Sequence, residues 1–131
     1  MKKALSIFGA ILLLISLSAC GNSKPGKTSD AMYQIGLNAL QTADDYIEGK
    51  IAGDEAAERL HEYSEQANTQ YKKDCEDAGK DTLAGTEFSN DYSINHSISM
   101  LQFSISSSSM GGAAMSEVRE KCDGLAECLG K

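Results

Sequence analysis

The sequence predicts an all-α protein, a small antiparallel bundle of about four helices. Apolar residues recur at three- and four-residue steps in four separate segments, which is the spacing of one helix face. The candidate core positions are rich in alanine, and the chain has no tryptophan and a single proline, Pro25. A thin core of small side chains suits closely packed helices better than a sandwich of bulky strands.

The first helix is predicted to begin at a cap supplied by Ser29 or Asp30, because serine and aspartate accept hydrogen bonds from the exposed N–H groups of a first turn. Gly49 is placed to end it, since glycine readily adopts the left-handed conformation found after helices. The predicted apolar stripe is Met32, Ile35, Ala39, Ala43 and Tyr46 or Ile47.

The second helix follows after the short connection 50–53, so we expect it to return antiparallel to the first. It should start near Asp54, with Glu55 and Glu58 in the first turns, where the helix dipole favours negative charge. It should close at Gly79, before a polar loop over residues 80–90. Its predicted stripe is Leu60, Ser64, Ala67, Tyr71, Cys75 and Ala78.

The third segment fits two patterns. A helix is indicated by a stripe with steps of four, three and four residues, formed by Ile94, Ile98, Leu101 and Ile105. A strand is indicated by an alternating series with many β-branched neighbours, formed by Tyr92, Ile94, His96, Ile98 and Met100. We favour the helix because its period persists to Ile105, whereas the alternation breaks at Met100-Leu101.

The last helix is predicted to follow a flexible break over residues 106–112, which holds four serines and two glycines. Ser116 is its expected cap and Gly130 its expected end. The stripe is Val118, Cys122, Leu125 and Leu129.

The front of the chain has the pattern of a secretory signal. Lys2 and Lys3 precede an apolar run from Leu5 to Leu17, as in the charged and apolar regions of a signal peptide. A membrane-spanning helix needs about 20 apolar residues, and this run is shorter. We therefore expect a removable signal rather than a transmembrane anchor.

The residues Leu17-Ser18-Ala19-Cys20 resemble the lipobox of bacterial lipoproteins. The resemblance implies a diacylglyceryl group on the Cys20 sulfur, cleavage between Ala19 and Cys20, and a lipid-anchored location on the extracytoplasmic side of a membrane. Two acyl chains anchor a protein durably, whereas one binds reversibly. The alternative is an ordinary secretory signal with a chance cysteine. We accordingly divide the chain into a signal peptide (1–19), a lipidated cysteine with a flexible tether (20–29) and an acidic helical domain (30–131).

The mature chain is strongly acidic. Removal of residues 1–19 takes away Lys2 and Lys3, which leaves ten basic and 19 acidic residues and a net charge of −9. This balance argues against a nucleic-acid partner, whose phosphates require a basic face. It also argues against a polybasic membrane-binding surface.

Three cysteines remain besides Cys20, so at most one internal disulfide can form. The pairing considered is Cys75 with Cys122 or with Cys128, because an extracytoplasmic location permits disulfides. The alternative is three reduced, packed thiols.

No catalytic, metal or cofactor site is predicted. His61 and His96 fall on different predicted helices, and zinc ligands usually lie close in sequence. Asp44, Asp45 and Glu48 form an acidic cluster, but a calcium site needs alternating ligands in a loop with glycine. We therefore expect a protein that is not an enzyme.

The segment 43–51, followed by an acidic alanine-rich helix, resembles small helical lipoproteins of Gram-positive bacteria; the resemblance covers about 30 residues and carries over no functional residue. The favoured hypothesis is a non-enzymatic interaction module that is anchored through Cys20 and binds an envelope protein. One alternative is a phage-exclusion or toxin-immunity lipoprotein. The other is a small-ligand receptor or enzyme, for which a thin core leaves little room. A further hypothesis is that the removed peptide ending at Ala19 acts as a signal.

Overall fold

The computed structural model describes residues 24–131, so the predicted signal segment and Cys20 lie outside the described residues. Four helices make up the described chain: α1 (Asp30–Ile47), α2 (Gly53–Ala78), α3 (Asp91–Ser109) and α4 (Met115–Cys128). The prediction of an all-α bundle with four helices is confirmed. The strand alternative for the third segment is wrong, because residues 91–109 are helical throughout.

The helices run alternately up and down, which gives the bundle two ends. At one end, which we call the tether pole, the Asn90 side chain donates to Thr28 Oγ1 (2.9 Å) and to the Cys128 carbonyl (3.0 Å). At the opposite end, the far pole, the Tyr46 hydroxyl is hydrogen-bonded to the Ser108 hydroxyl (3.1 Å). α3 contacts all three other helices, whereas α2 and α4 do not contact each other.

α1 and α2 contribute several alanines to the core besides the large residues Met32 and Leu60, whereas α3 and α4 contribute mainly large residues. The fully buried apolar residues of the first two helices include Ala39, Ala43, Ala56 and Ala67. Those of the last two include Ile94, Ile98, Leu101, Ile105, Leu125 and Leu129. Gly36 lets α1 approach α4 closely, since a Cβ there would lie 2.7 Å from Leu129 Cδ2.

Most helix ends lie where the sequence predicts them. Ser29 caps α1, and its hydroxyl accepts from the Met32 N–H (3.3 Å). Gly79 ends α2 in the left-handed conformation, with φ of +63°. α4 begins at Met115, one residue before its predicted cap Ser116, and Ala114 at its N-cap provides no side-chain hydrogen bond.

The predicted break over residues 106–112 is wrong in its first half. α3 continues through Ser109, and the chain turns only at Met110 and Gly111. Two contacts hold the serines in the helix. The Ser109 hydroxyl donates to the Ser106 carbonyl (2.9 Å), and Ser108 is bonded to Tyr46 of α1.

The packed domain also starts earlier than residue 30. Thr28 and Ser29 are buried, although they fall in the segment predicted as a flexible tether. The Lys27 carbonyl accepts from the Asn90 N–H (2.9 Å), which joins this segment to the start of α3. Residues 27–29 therefore belong to the packed domain and not to the predicted tether.

Candidate functional site

A row of large side chains runs along the outside of α3. We call Tyr92, His96, Met100 and Phe103 the outer stripe. Their steps of four, four and three residues place them on one helix face, because each residue turns the helix by about 100°. This face is opposite to the stripe that fills the core. Tyr92, Met100 and Phe103 are 58%, 37% and 67% exposed, and His96 is exposed as well.

The tether-pole end of the outer stripe is an aromatic cluster. The ring of Tyr92 is stacked on His96, with centroids 6.1 Å apart and planes 6° from parallel. Tyr71 of α2 lies on the other side of Tyr92, with ring centroids 6.0 Å apart. Such pairs restrict the rings without covering them. The cluster therefore presents a preformed aromatic edge to solvent.

The outer stripe lies on a helix that carries almost no charge. α3 contains one acidic or basic residue, Asp91, and its side chain is fully buried. The neighbouring contacts with α2 are uncharged too: Ser64 with Ser99 (3.0 Å) and Asn68 with Asn95 (3.0 Å). The centres of protein interfaces are depleted in charged residues and enriched in tyrosine, phenylalanine and methionine. In residues 24–131, which hold ten basic and 19 acidic side chains, this face has that composition.

Charge is unevenly distributed along the bundle axis. The half nearer the tether pole (24–38, 66–100 and 122–131) holds six basic and nine acidic residues, and two of the acidic ones, Asp74 and Asp91, are buried. The other half (39–65 and 101–121) holds four basic and ten acidic residues. The surface of the tether half is therefore close to neutral, and the far half carries most of the negative charge.

The three cysteines considered for a disulfide are free thiols in the structure. Cys75 lies on α2, while Cys122 and Cys128 lie on α4, and these two helices do not contact each other. A disulfide requires Cα atoms within about 7 Å. The arrangement therefore gives no support to a bridge from Cys75 to either partner.

Each α4 thiol has a polar neighbour instead. The Cys122 thiol donates to Asp44 Oδ1 (3.5 Å), and Cys128 is bonded to the Ser97 hydroxyl (3.5 Å). Burial, followed by the charge of Asp44, raises the pKa of the Cys122 thiol to about 12. Cys122 is therefore a protonated packing residue rather than a nucleophile.

The two histidines lie apart. His61 is exposed on α2, where its Nε2 is 3.5 Å from Glu65, whereas His96 belongs to the outer stripe. The acidic cluster at the end of α1 is partly neutralised by Lys50, which pairs with Glu48 and with Asp45 (3.5 Å). Within residues 24–131, no three His, Cys, Asp or Glu side chains are grouped so that they could hold a metal ion.

Two open depressions lie at the tether pole. One, of about 420 Å³, is lined by α2 and the following loop and includes Tyr71 and Cys75. The other, of about 390 Å³, lies between Pro25, Asn90 and Cys128. Neither contains a histidine. Both are open to solvent, whereas small-molecule sites usually enclose most of the ligand's surface.

Comparison of the chain with known protein families, with curated proteins and with solved structures finds no match. Of the helices between residues 24 and 131, none combines the length and the apolar character that a membrane crossing requires.

Sequence reasoning missed the outer stripe as a feature. It assigned Tyr92, His96 and Met100 to the competing strand pattern and gave Phe103 no role. The alternation arose because α3 has apolar residues on two opposite faces, so that both sets are interleaved in the sequence. Plotting the segment as a helix would separate the two sets, but which face is covered depends on where the other helices pack.

Proposed function

We propose that this chain is a lipoprotein held by lipid on Cys20 at the extracytoplasmic side of a membrane. Its helical domain is a non-enzymatic interaction module that binds an envelope protein through the outer stripe of α3. The observation that carries the proposal is the exposed, uncharged row of Tyr92, His96, Met100 and Phe103 on a helix whose other face already fills the core.

The physical case rests on the free energy of covering this row. Apolar surface removed from water contributes about 25 cal/mol per Å². Phe103 is 67% exposed and Tyr92 58% exposed, so a partner would gain from covering both. Single exposed apolar residues are common, but an aligned set on one face marks an interaction site. The aromatic cluster lowers the entropic cost of binding, because its rings are already held by one another.

The partner is expected to be a different protein rather than a second copy. Each mature chain has a net charge of −9, most of it on the far half, so two copies anchored side by side through their outer stripes would bring their acidic far halves together, where they repel one another. A partner with a neutral or basic rim around an apolar centre avoids this repulsion. Charge on such a rim would also speed the encounter with the acidic far half of the domain.

The anchor fits the same arrangement. Five Cα–Cα steps separate Cys20 from Pro25 and span at most about 18 Å, so lipid on Cys20 would keep the tether pole near the headgroups. That pole has the less negative surface, which reduces repulsion from anionic lipid. The outer stripe runs along the bundle axis, so it would stand away from the membrane and face sideways towards neighbouring envelope proteins.

A photo-crosslinking amino acid at position 103 of the full chain, expressed in the native host, tests the interaction. We expect a discrete adduct heavier than the protein at position 103. The matched control is position 34 on α1, which is also exposed but lies outside the outer stripe. An adduct at twice the protein's own mass would contradict a different partner. Equal labelling at both positions, or none at position 103, would contradict the interaction surface.

The anchor is tested separately with Cys20→Ser. We expect the variant to leave the membrane fraction while the helical content and the unfolding midpoint of the domain stay unchanged. Full membrane retention of this variant would overturn the lipid anchor without bearing on the outer stripe.

A further inference from the structure

Two buried carboxyl groups lie close to each other at the tether pole, outside the outer stripe. The contact of Tyr71 with Tyr92 sets the register of α2 against α3, which brings Asp74 beside the start of α3, and the two carboxyls interact electrostatically. Asp91, the first residue of α3, is fully buried, and Asp74 near the end of α2 is 7% exposed. Aspartate is seldom buried to this degree unless its charge is compensated. No cationic side chain forms an ion pair with either carboxyl among the described residues.

Asp91 is bonded to the start of α1. Its Oδ1 accepts the Ser29 N–H (2.9 Å), and its Oδ2 accepts the Ser29 hydroxyl (2.5 Å). Ser29 is also the cap of α1. The Asp91 carboxyl therefore links the first residue of α3 to the N-cap of α1, which lies 62 positions away in sequence.

Asp74 has one satisfied oxygen and one unsatisfied oxygen. Its Oδ1 accepts from the Gln70 side-chain amide (2.8 Å), while its buried Oδ2 has no hydrogen-bond partner. An orphaned buried acceptor is costly, and two ionised carboxylates cannot hydrogen-bond to each other. A proton between Asp74 and Asp91 removes both problems at once, because the protonated group donates to the other.

We infer that Asp74 and Asp91 form a carboxyl pair that holds one proton and acts as an acid-tightened clasp, fastening α1, α2 and α3 at the tether pole. In the protonated pair, an O–H···O bond links α2 to α3, and Asp91 keeps its two bonds to Ser29. Loss of the proton leaves two adjacent negative charges in a buried site. The start of α1 then loosens, next to the segment that leads to Cys20.

The pKa of Asp91 is shifted in the direction that favours a bound proton. Burial raises the pKa of Asp91 above its ordinary value of 3.8, and the neighbouring Asp74 raises it further, against a lowering by the bonds from Ser29. The folded domain therefore binds this proton more tightly than the unfolded chain. The resulting stability is complete below the ordinary pKa and is lost as the pH rises through the folded-state pKa.

The remaining charged side chains of the segment before α1, the loop before α3 and the end of α4 are exposed to solvent, among them Lys24, which pairs with Asp30 (2.6 Å), Lys27, Glu87 and Glu127. α1 contributes the uncharged Ser29 to the pair, and α2 contributes Asp74 itself. Lys73, the next residue along α2, is bound to Asp77 (2.8 Å), and both Asp77 and Asp74 raise its pKa, so it stays protonated. Histidine as a residue type titrates between pH 5 and 8, and His61 and His96 are exposed on α2 and α3. The test must therefore observe the carboxyl groups directly.

The experiment is a carboxyl ¹³C NMR titration of the full chain in detergent micelles, combined with urea unfolding at a series of pH values from about pH 3 to about pH 8. We expect one carboxyl of the pair to titrate above the ordinary aspartate pKa of 3.8, because burial and the neighbouring carboxyl raise the pKa of Asp91. Each pH unit of that difference corresponds to a fall of up to about tenfold in the folded-to-unfolded ratio across the transition. Because the pair shares a proton, the higher value belongs to the pair rather than to one residue.

Asp74→Asn provides the decisive variant, because it copies the protonated state. Its oxygen can still accept from Gln70, and its amide can donate to Asp91 in place of the shared proton. We expect this variant to lose most of the pH dependence and to be at least as stable as the parent chain at pH 8. The control Asp81→Asn removes the same charge from an exposed loop and should keep the parent's pH dependence.

Two results would overturn the clasp. The first is titration of both buried carboxyls at or below the ordinary aspartate pKa of 3.8. The second is an unchanged pH dependence in Asp74→Asn. If Asp74→Asn fails to fold, the titration of the parent chain decides alone. Neither result bears on crosslinking from position 103, so the interaction surface and the clasp are tested independently of each other.

Discussion

Leu101 and Phe103 provide a direct test of how α3 is oriented. They are two positions apart in sequence, so a helix turns them about 200° away from each other, whereas a strand would place them on the same face. Leu101 is 0% exposed and Phe103 is 67% exposed. We therefore expect Leu101→Ala to be costly and Phe103→Ala to be tolerated, although phenylalanine is the larger residue.

The magnitudes follow from burial. Removal of a fully buried leucine side chain costs about 3 kcal/mol, which combines the lost transfer free energy with the cavity left behind. Phe103 has about a third of its surface covered, and at about 25 cal/mol per Å² this contributes about 1–2 kcal/mol. Part of that is offset by the higher helix propensity of alanine. The expected net cost of Phe103→Ala is about 1 kcal/mol or less.

Urea unfolding followed by circular dichroism measures both values. With a slope of about 1.5 kcal/mol per M, Leu101→Ala should lower the unfolding midpoint by about 2 M, and Phe103→Ala should lower it by well under 1 M. Equal costs for the two variants would refute the orientation of α3. A Phe103→Ala cost as large as that of a core leucine would mean that the outer stripe is already covered within the protein.

Three further outcomes are expected. Ser29→Ala should lower the free energy of unfolding, measured with urea, by about 1–2 kcal/mol, because it removes the α1 cap and a bond to Asp91. In the same assay Ser116→Ala should change the free energy of unfolding by less than about 0.5 kcal/mol. Cys122 should resist alkylation at pH 8 in the folded protein and react in urea, because its thiol is buried and stays protonated in the fold. Mass spectrometry measures the labelling, and rapid labelling of the folded chain would contradict this expectation. Tyr46→Phe should loosen the last turn of α3, because it removes the hydrogen bond to Ser108, and amide exchange at residues 106–109 should become faster. Unchanged exchange would show that packing alone holds that turn.

Much of the fold was predictable because it depends on local interactions. The period of the apolar residues gives the helices, and the ends follow from residues with special local chemistry, such as Ser29 at the start of α1 and Gly79 at the end of α2. Helix α3 was harder, since its second apolar face mixed a two-residue alternation into the helical period. The persistence of the stripe to Ile105 still favoured the correct state.

The serine run shows where local reasoning fails. Four serines before two glycines predict a break, because serine side chains compete for backbone hydrogen bonds. In the structure α3 continues through them, because Tyr46 of α1 bonds Ser108 and Gly53 of α2 comes close to Ser109. These partners are more than 50 residues away in sequence, so no local pattern announces them.

By itself, the sequence determined the helical class, the order of the helices and most of their ends, since these depend on neighbours within a few residues. The tertiary structure decided which of the two apolar faces of α3 is covered, and therefore that Phe103 faces solvent while Leu101 fills the core. It also decided that Asp74 and Asp91 are buried together. The physical reason is the same in both cases: burial and electrostatic coupling depend on how separate helices pack, and that packing brings together residues that are distant in the chain.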